Sequence, residues 1–281
     1  RLITHGTKDV TGFLRFPIYE ESNMATELIF AEERQDKILS MLKAQNKLLV
    51  NDLCEQFSVS SATIRNDLNQ LEKKGLLKRT HGGAITCPKA GFEPTSSEKI
   101  RTRAEQKQAI AQYALSLIEN GDTIALDTGT TTYCLAELLS AKQNITVITT
   151  DTKIAALLEA YPGISVIIAG GALRKGFSCT TGAITNSILA MFNVDKVFIA
   201  ANAVTTSGNI CTPDLEQAKV KQSLIAMANQ RFLLCDSTKF GAYSLAKFGS
   251  LDDITAVITD SEADAHMLSV LRAQGVKIIT V

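Results

Sequence analysis

The sequence predicts an α/β chain in two parts: an N-terminal winged helix-turn-helix, then a C-terminal Rossmann-like domain with a mainly parallel sheet. Between Leu49 and Ile85 two short helices joined by a tight turn run into a small basic hairpin. Beyond Glu98, apolar β-branched runs alternate with amphipathic helical patterns, as expected of strands buried on both faces of a parallel sheet. Between the two, residues 88–97 hold two of the five prolines together with Gly and Ser, the composition of a domain boundary.

Bulk properties agree. A chain of 281 residues accommodates about two domains. Hydrophobic content of 45% with 21% charged residues is ordinary globular composition, and the formal net charge is zero. Any nucleic-acid surface must therefore be local. No apolar run approaches the roughly 20 residues of a membrane span, and no secretory pattern is present, so the cytoplasm is the expected location. The six cysteines are scattered without a C-x-x-C, and the three histidines lie far apart. Neither a metal site nor a disulfide framework is expected.

Taken in order, residues 1–23 lack a sustained period and are read as upstream sequence or a floppy arm, with Met24 a plausible natural start, and residues 1–30 as a whole are expected to be a disordered arm outside the fold. Residues 31–87 are assigned to the winged helix. Ile38, Leu39, Met41 and Leu42 fall on one stripe of a first helix over 31–44. Leu53 and Phe57 stand at i, i+4 in a second helix, Val50 to Phe57. Ser58-Val59-Ser60 is the turn, and Ser60 or Ser61 N-caps a third helix that stops at Gly75. Short extended pieces, Leu76 to Arg79 and Ala84 to Thr86, flank a wing tip at His81-Gly82-Gly83.

The third helix carries the recognition chemistry. Ile64, Leu68 and Leu71 recur at i, i+4, i+7 and anchor it. The opposite stripe is Ala62, Arg65, Asn66, Asn69 and Lys73. Arg is the usual bidentate partner of guanine and Asn of adenine in the major groove. Ser61 and Thr63, near the helix N-terminus, reach phosphates through hydroxyls and backbone N–H groups. Between Ser61 and Lys89 the bases Arg65, Lys73, Lys74, Lys78, Arg79 and Lys89 face only two acids, Asp67 and Glu72, a local footprint for phosphate contacts. Asp67 is expected to pair locally. Arg79 and His81 of the wing complete the expected DNA contacts. A winged helix used for protein–protein assembly is the alternative for this part.

In residues 98–281 a long helix is expected over 98–119. Strands follow at 123–126, 145–148, 165–168, 196–200, 232–235, 256–258 and 277–280, with helices over 131–141, 152–160, 183–192, 214–228 and 262–274. Polar residues gather where strands end: Asp127-Thr128-Gly129-Thr130-Thr131-Thr132, Thr149-Thr150-Asp151, Gly170 to Lys175, Asn202, and Asp236-Ser237-Thr238-Lys239. In open parallel sheets ligands bind at the carboxyl ends of strands, so these loops should converge on one crevice. Gly129 permits close approach, and the threonine hydroxyls with free N–H groups make an anion cradle at a helix start. The spacing is not that of a nucleotide P-loop, and no G-x-G-x-x-G follows a strand. A phosphate monoester on a small molecule fits better. Arg174, Lys175 and Lys239 are available cations, and Asp127 and Asp236 are acceptors for hydroxyls.

The run Ser60-Ser61-Ala62-Thr63-Ile64-Arg65-Asn66-Asp67-Leu68, then Leu71-Glu72, Gly75-Leu76-Leu77 and Arg79-Thr80-His81-Gly82-Gly83-Ala84, resembles the DNA-binding signature of the DeoR family of bacterial transcription regulators. The resemblance covers about residues 32–281. Asn66 departs from it, standing where the family's T-I-R-R-D-L has a second Arg. The resemblance implies a sensor domain of the ribose-5-phosphate isomerase type that binds phosphorylated sugars, with Asp127, Gly129, Thr130, Thr131, Asp236 and Lys239 around the effector; the turn Gly170-Gly171 matches a recurring element of the family, and with Arg174 from the strand-end cluster it is assigned to the same site. The resemblance also implies a place for Lys221 in Glu216-Gln217-Ala218-Lys219-Val220-Lys221, although Gln217 replaces an expected acid.

An active sugar-phosphate isomerase or deaminase with an attached DNA-binding domain is the alternative for the whole chain. Isomerisation needs a general base and a carbonyl-polarising group. Ala200-Ala201-Asn202-Ala203 offers no acid where isomerases of this fold carry a carboxylate pair. The expectation is therefore a non-catalytic transcription regulator, a repressor of a carbohydrate-utilisation operon relieved by a phosphorylated sugar. It needs no cofactor, binds an operator as a homo-dimer or tetramer, and has no membrane partner.

Overall fold

The computed structural model describes residues 30–45, 47–73, 76–80, 82–86, 91, 93–100 and 102–281, with backbone alone for Lys43, Lys73 and Thr86. The arm expected over 1–30 lies outside the described residues, Phe30 excepted. The chain divides between Cys87 and Pro88 into two compact units.

In the N-terminal unit, α1 (Ala31–Gln45) is followed by β1 (Lys47–Leu49), α2 (Val50–Phe57), α3 (Ser61–Lys73), β2 (Leu77–Thr80) and β3 (Gly83–Thr86). Ile38, Leu42, Leu53, Ile64, Leu68 and Leu71 are each no more than 1% exposed and form its core, with Val59 packed at the edge. Ser58 closes α2 in the left-handed conformation, φ 52°. Ser60 is the cap of α3, its Oγ accepting from the Thr63 N–H at 3.2 Å.

The strands form an antiparallel sheet in the order β1-β3-β2. β1 was not expected from the sequence: three residues with one buried are too few to show alternation, and only pairing with β3 defines it. Gly83 is required there, since a Cβ would lie 1.9 Å from the Leu48 carbonyl oxygen.

In the C-terminal unit come α4 (Ser96–Ile100), α5 (Ala104–Ser116), β4 (Thr123–Leu126), α6 (Thr130–Leu138), β5 (Ile145–Thr149), α7 (Thr152–Leu158), β6 (Ile164–Ile168), β7 (Ala172–Arg174) and β8 (Cys179–Thr181). Then follow α8 (Ala183–Leu189), β9 (Val194–Ala200), β10 (Ala203–Val204), β11 (Asn209–Thr212), α9 (Leu215–Ala226), β12 (Ala228–Leu234), β13 (Ala246–Ser250), β14 (Ala256–Thr259), α10 (Ala265–Ala273) and β15 (Ile278–Thr280).

Seven strands make a wholly parallel sheet in the order β15-β14-β12-β9-β4-β5-β6. Its strands feed two cores in alternation: Ile124 and Leu126 of β4 belong to one cluster, Ala125 to the other. Both faces are thus buried, which is why these strands read as continuous apolar runs.

Three expectations need correction. The single helix over 98–119 is broken. Arg103 has φ 56°, and the carbonyls of Lys99 and Thr102 accept from the buried Lys107 ammonium instead of continuing a helical ladder. The stretch expected as linker, 88–97, already contains the first two residues of α4. The β7–β8 hairpin and the antiparallel sheet β10-β11-β13 were not foreseen. Their strands are two to five residues long and lack the length that carries a period.

Candidate functional site

The N-terminal unit shows a polar face on α3. Ser61, Ala62, Arg65, Asn66 and Asn69 are exposed and Thr63 is half-buried, while Ile64, Leu68 and Leu71 face inward. Arg65 and Arg79 line one surface depression with Val50, Thr80 and Gly82. Asn69 is not free to read a base with both its atoms, because its Oδ1 accepts from Arg79. The Thr63 hydroxyl shares a 2.9 Å hydrogen bond with Ser60. Asp67 turns away from this face and pairs with Arg34 of α1 at 2.6 Å, both side chains buried. The Lys73 side chain and His81 lie outside the described residues.

In the C-terminal unit the connections reverse direction between β4 and β9: the chain winds out through β5 and β6 on one side, and through β12, β14 and β15 on the other. Such a switch point opens a crevice at the carboxyl ends of the strands. A cleft open to solvent lies there.

The loop after β4 contributes Thr128, Gly129, Thr130 and Thr131. Gly129 stands at the N-cap of α6 and offers no side-chain cap, so the first-turn N–H groups and the positive end of the helix dipole remain available to an anion. A Cβ at Gly129 would come within 2.8 Å of the Ala200 Cβ, so the loop lies hard against the end of β9. Asp236 and Lys239, 3.5 Å apart as an ion pair, enter from the loop after β12, Lys221 from α9, and Arg174 from β7.

Asp127 does not line the cleft. It is fully buried beneath it, accepting from the Ala200 N–H at 3.0 Å and from the Lys221 ammonium, which also donates to the Ala200 carbonyl at 2.8 Å. Burial raises the Asp127 carboxyl above the ordinary carboxylate value, and the Lys221 charge opposes that rise.

Other expected residues are placed elsewhere. Gly170 and Gly171 do not line the cleft. The Gly170 carbonyl accepts from Thr185 at 2.9 Å, and a Cβ on Gly171, φ 154°, would fall 2.0 Å from the Thr185 Oγ1. Close packing on α8 explains Gly171, whereas a Cβ on Gly170 would meet nothing within 4 Å. Thr149, Thr150 and Asp151 also stay out of it. Asp151 caps α7 and accepts from Thr128 at 2.7 Å, holding the β4 loop in place.

The cleft also contains groups that sequence reasoning missed. Glu93, Ser96, Lys99, Thr102 and Lys107 come from the segment before β4, and Phe177, Thr212 and Gln217 from the β7–β8 turn, the end of β11 and α9. Lys107 left a legible trace: it shares one buried face of α5 with Ile110, Ala111 and Ala114, where a cation demands a reason. Glu93 left none.

Its carboxylate lies 2.5 Å from Lys99, 2.8 Å from Arg174 and 3.0 Å from the Asn202 Nδ2. Against the opposing effect of burial, Lys99, Asn202 and Arg174 hold Glu93 below the ordinary carboxylate value. Burial lowers Lys99, with Lys239 and Lys221 adding to it and Glu93 opposing. The absence of an acid at the end of β9 is therefore amended: an acid arrives there from afar, but paired with two cations it is a weak base. Cys235 also lines the cleft, and burial pushes its thiol far up, which removes it as a nucleophile.

Comparison with known proteins decides the family. Residues 34–90 match the DeoR-like helix-turn-helix domain, and residues 102–261 match the DeoR C-terminal sensor domain. The chain belongs to the DeoR family of transcription regulators.

Relatives align along most of their length. The transcriptional repressor AccR of Agrobacterium fabrum is 33% identical over 232 residues, 82% of this chain and 90% of that protein. The glycerol-3-phosphate regulon repressor of Escherichia coli is 28% identical over 246 residues, 88% of this chain and 97% of that one. Among solved structures, ribose 5-phosphate isomerase A of Methanocaldococcus jannaschii is a looser likeness, with a TM-score of 0.38 and 19% identity over 50% of this chain and 55% of that one.

This DeoR-family chain is a DNA-binding transcription regulator. Among the described residues no helix is long and apolar enough to cross a membrane.

Proposed function

We propose that this regulator is a cytoplasmic repressor of a carbohydrate-utilisation operon, and that a phosphorylated sugar bound in the C-terminal cleft relieves repression. One observation carries the reading. The uncapped N-terminus of α6, with the Thr130 and Thr131 hydroxyls, faces the same cleft as Lys239 and Asp236. That pairing suits a phosphate at the helix end and sugar hydroxyls at the carboxylate. Lys221 and Asp127 form the floor. The Escherichia coli relative, a glycerol-3-phosphate regulon repressor, supports a phosphorylated small molecule.

On the DNA side, Arg65 and Asn66 read base edges, while Ser61, Thr63, Arg79, Lys73 and His81 hold the backbone. Asn69 contributes through its amide nitrogen or after releasing Arg79. A homo-oligomer presents two such units to paired half-sites.

The test is a thermal-shift screen of the full chain against phosphorylated sugars and polyols, each assayed in parallel for turnover. The reading expects stabilisation by a phosphorylated compound, loss of that stabilisation in Lys239→Ala, and no turnover. Stabilisation by none, or conversion of any, would contradict it.

A further inference from the structure

We propose that Glu93 is an internal competitor for the effector: its carboxylate engages Lys99, Arg174 and Asn202, and the effector's anionic group displaces it from them. The proposal rests on the effector reading of the cleft given above and names how that site is regulated.

The geometry is that of a bound anion. The Glu93 carboxylate is 9% exposed and meets two cations and an amide within 3.0 Å. Two of its partners are held independently of it. The Arg174 guanidinium lies 3.8 Å over the Phe177 ring and 3.5 Å from Asp214. Asn202 is held by Thr212 at 3.1 Å. Lys99 stands in the field of the Lys239 and Lys221 ammoniums. Taking Glu93 away leaves a partly desolvated cation among like charges, an arrangement that demands another anion.

A phosphate monoester carries more negative charge than a carboxylate and more acceptor oxygens, so one seated at the α6 N-terminus, in the same cleft as Lys99 and Arg174, draws these cations from Glu93 where a neutral sugar does not. Glu93 also sits at a place where its release has a consequence. It is separated from the wing strand β3 only by the chain 87–92. Directly after it, Thr95 and Glu98 form a reciprocal cap, the Thr95 N–H donating to the Glu98 carboxylate at 2.8 Å, which starts the helix that carries Lys99. Displacement of Glu93 therefore loosens the connecting segment at its anchored end, whereas the capped helix stays with the cleft.

The alternative role for Glu93 is a direct ligand of sugar hydroxyls, and it predicts the opposite sign. The experiment measures binding of inorganic phosphate and of a panel of hexose phosphates to the full chain by calorimetry, in wild type, Glu93→Asp and Glu93→Gln. Competition predicts tighter binding in Glu93→Gln by about 5-fold or more, the lower end of a typical coupling, with Glu93→Asp, a shorter carboxylate that keeps the charge, in between. Unchanged or weaker binding in both variants overturns the proposal.

The chain has no tryptophan, so Gly91→Trp, at an exposed position with only a 3.9 Å contact to Leu245, gives a local reporter. Its emission should shift when a hexose phosphate binds the wild-type background. Binding without a shift overturns the displacement. If no variant binds any phosphorylated compound, the effector reading itself fails and the proposal with it, a result distinct from binding that ignores Glu93.

Discussion

Arg65 and Asn66 stand exposed on α3, and Glu93 lies between the cations Lys99 and Arg174 of the cleft. Arg65 and Asn66 were legible because helical spacing alone puts them opposite Ile64, Leu68 and Leu71. Glu93 was not, because its partners Lys99, Arg174 and Asn202 are brought together only by the fold. Lys221 entered through family resemblance and proves to be the buried partner of Asp127. Two expectations follow. Arg65→Ala should weaken operator binding by about 1–3 kcal/mol in a mobility-shift titration, and unchanged binding would remove Arg65 from the recognition surface.

The second concerns acid. Glu93 is held below its ordinary value of 4.5, so its ionised form is favoured by folding. Its contribution to stability is complete above the ordinary carboxylate range and is lost as pH falls through the lowered folded value. The gap in Tm between wild type and Glu93→Gln should be constant near neutral pH and close in acid. A gap independent of pH would mean that the charge of Glu93 does not act.

Elements were read well where they are long and poorly where they are short. The parallel strands announce themselves as apolar runs, since each is covered on both faces. The break between α4 and α5 is invisible to periodicity because it is made by Lys107 and Arg103. Arg103 reaches Asp260 and Glu262, each at 3.0 Å. The β7–β8 hairpin that delivers Arg174 escaped for lack of length.

Within the N-terminal unit, α3 is tied to α1 by Arg34, Gln35 and Asp67. Removing one member of a buried pair is costly, so Asp67→Ala should destabilise that unit by about 3–5 kcal/mol, measured by denaturant unfolding. A loss well below 1 kcal/mol would show the pair to be dispensable. At the other end, Gly129→Ala forces the β4 loop away from Ala200 and should abolish ligand-induced thermal stabilisation. Retained stabilisation would place the anion elsewhere.

The chain as a whole joins a DNA-binding domain to a DeoR-type sensor domain, and relief of repression requires the two to be thermodynamically coupled. By linkage, a ligand that weakens operator binding must itself bind less tightly to the DNA-bound protein. That reciprocity is open to direct measurement. Operator affinity of the full chain is titrated at fixed salt, with and without the phosphorylated sugar that gives the largest thermal shift. The account predicts that the ligand weakens operator binding by about 5–150-fold, a coupling of about 1–3 kcal/mol, and that Lys239→Ala removes the response while keeping operator affinity. Operator affinity unmoved by a sugar phosphate that demonstrably occupies the cleft would contradict it.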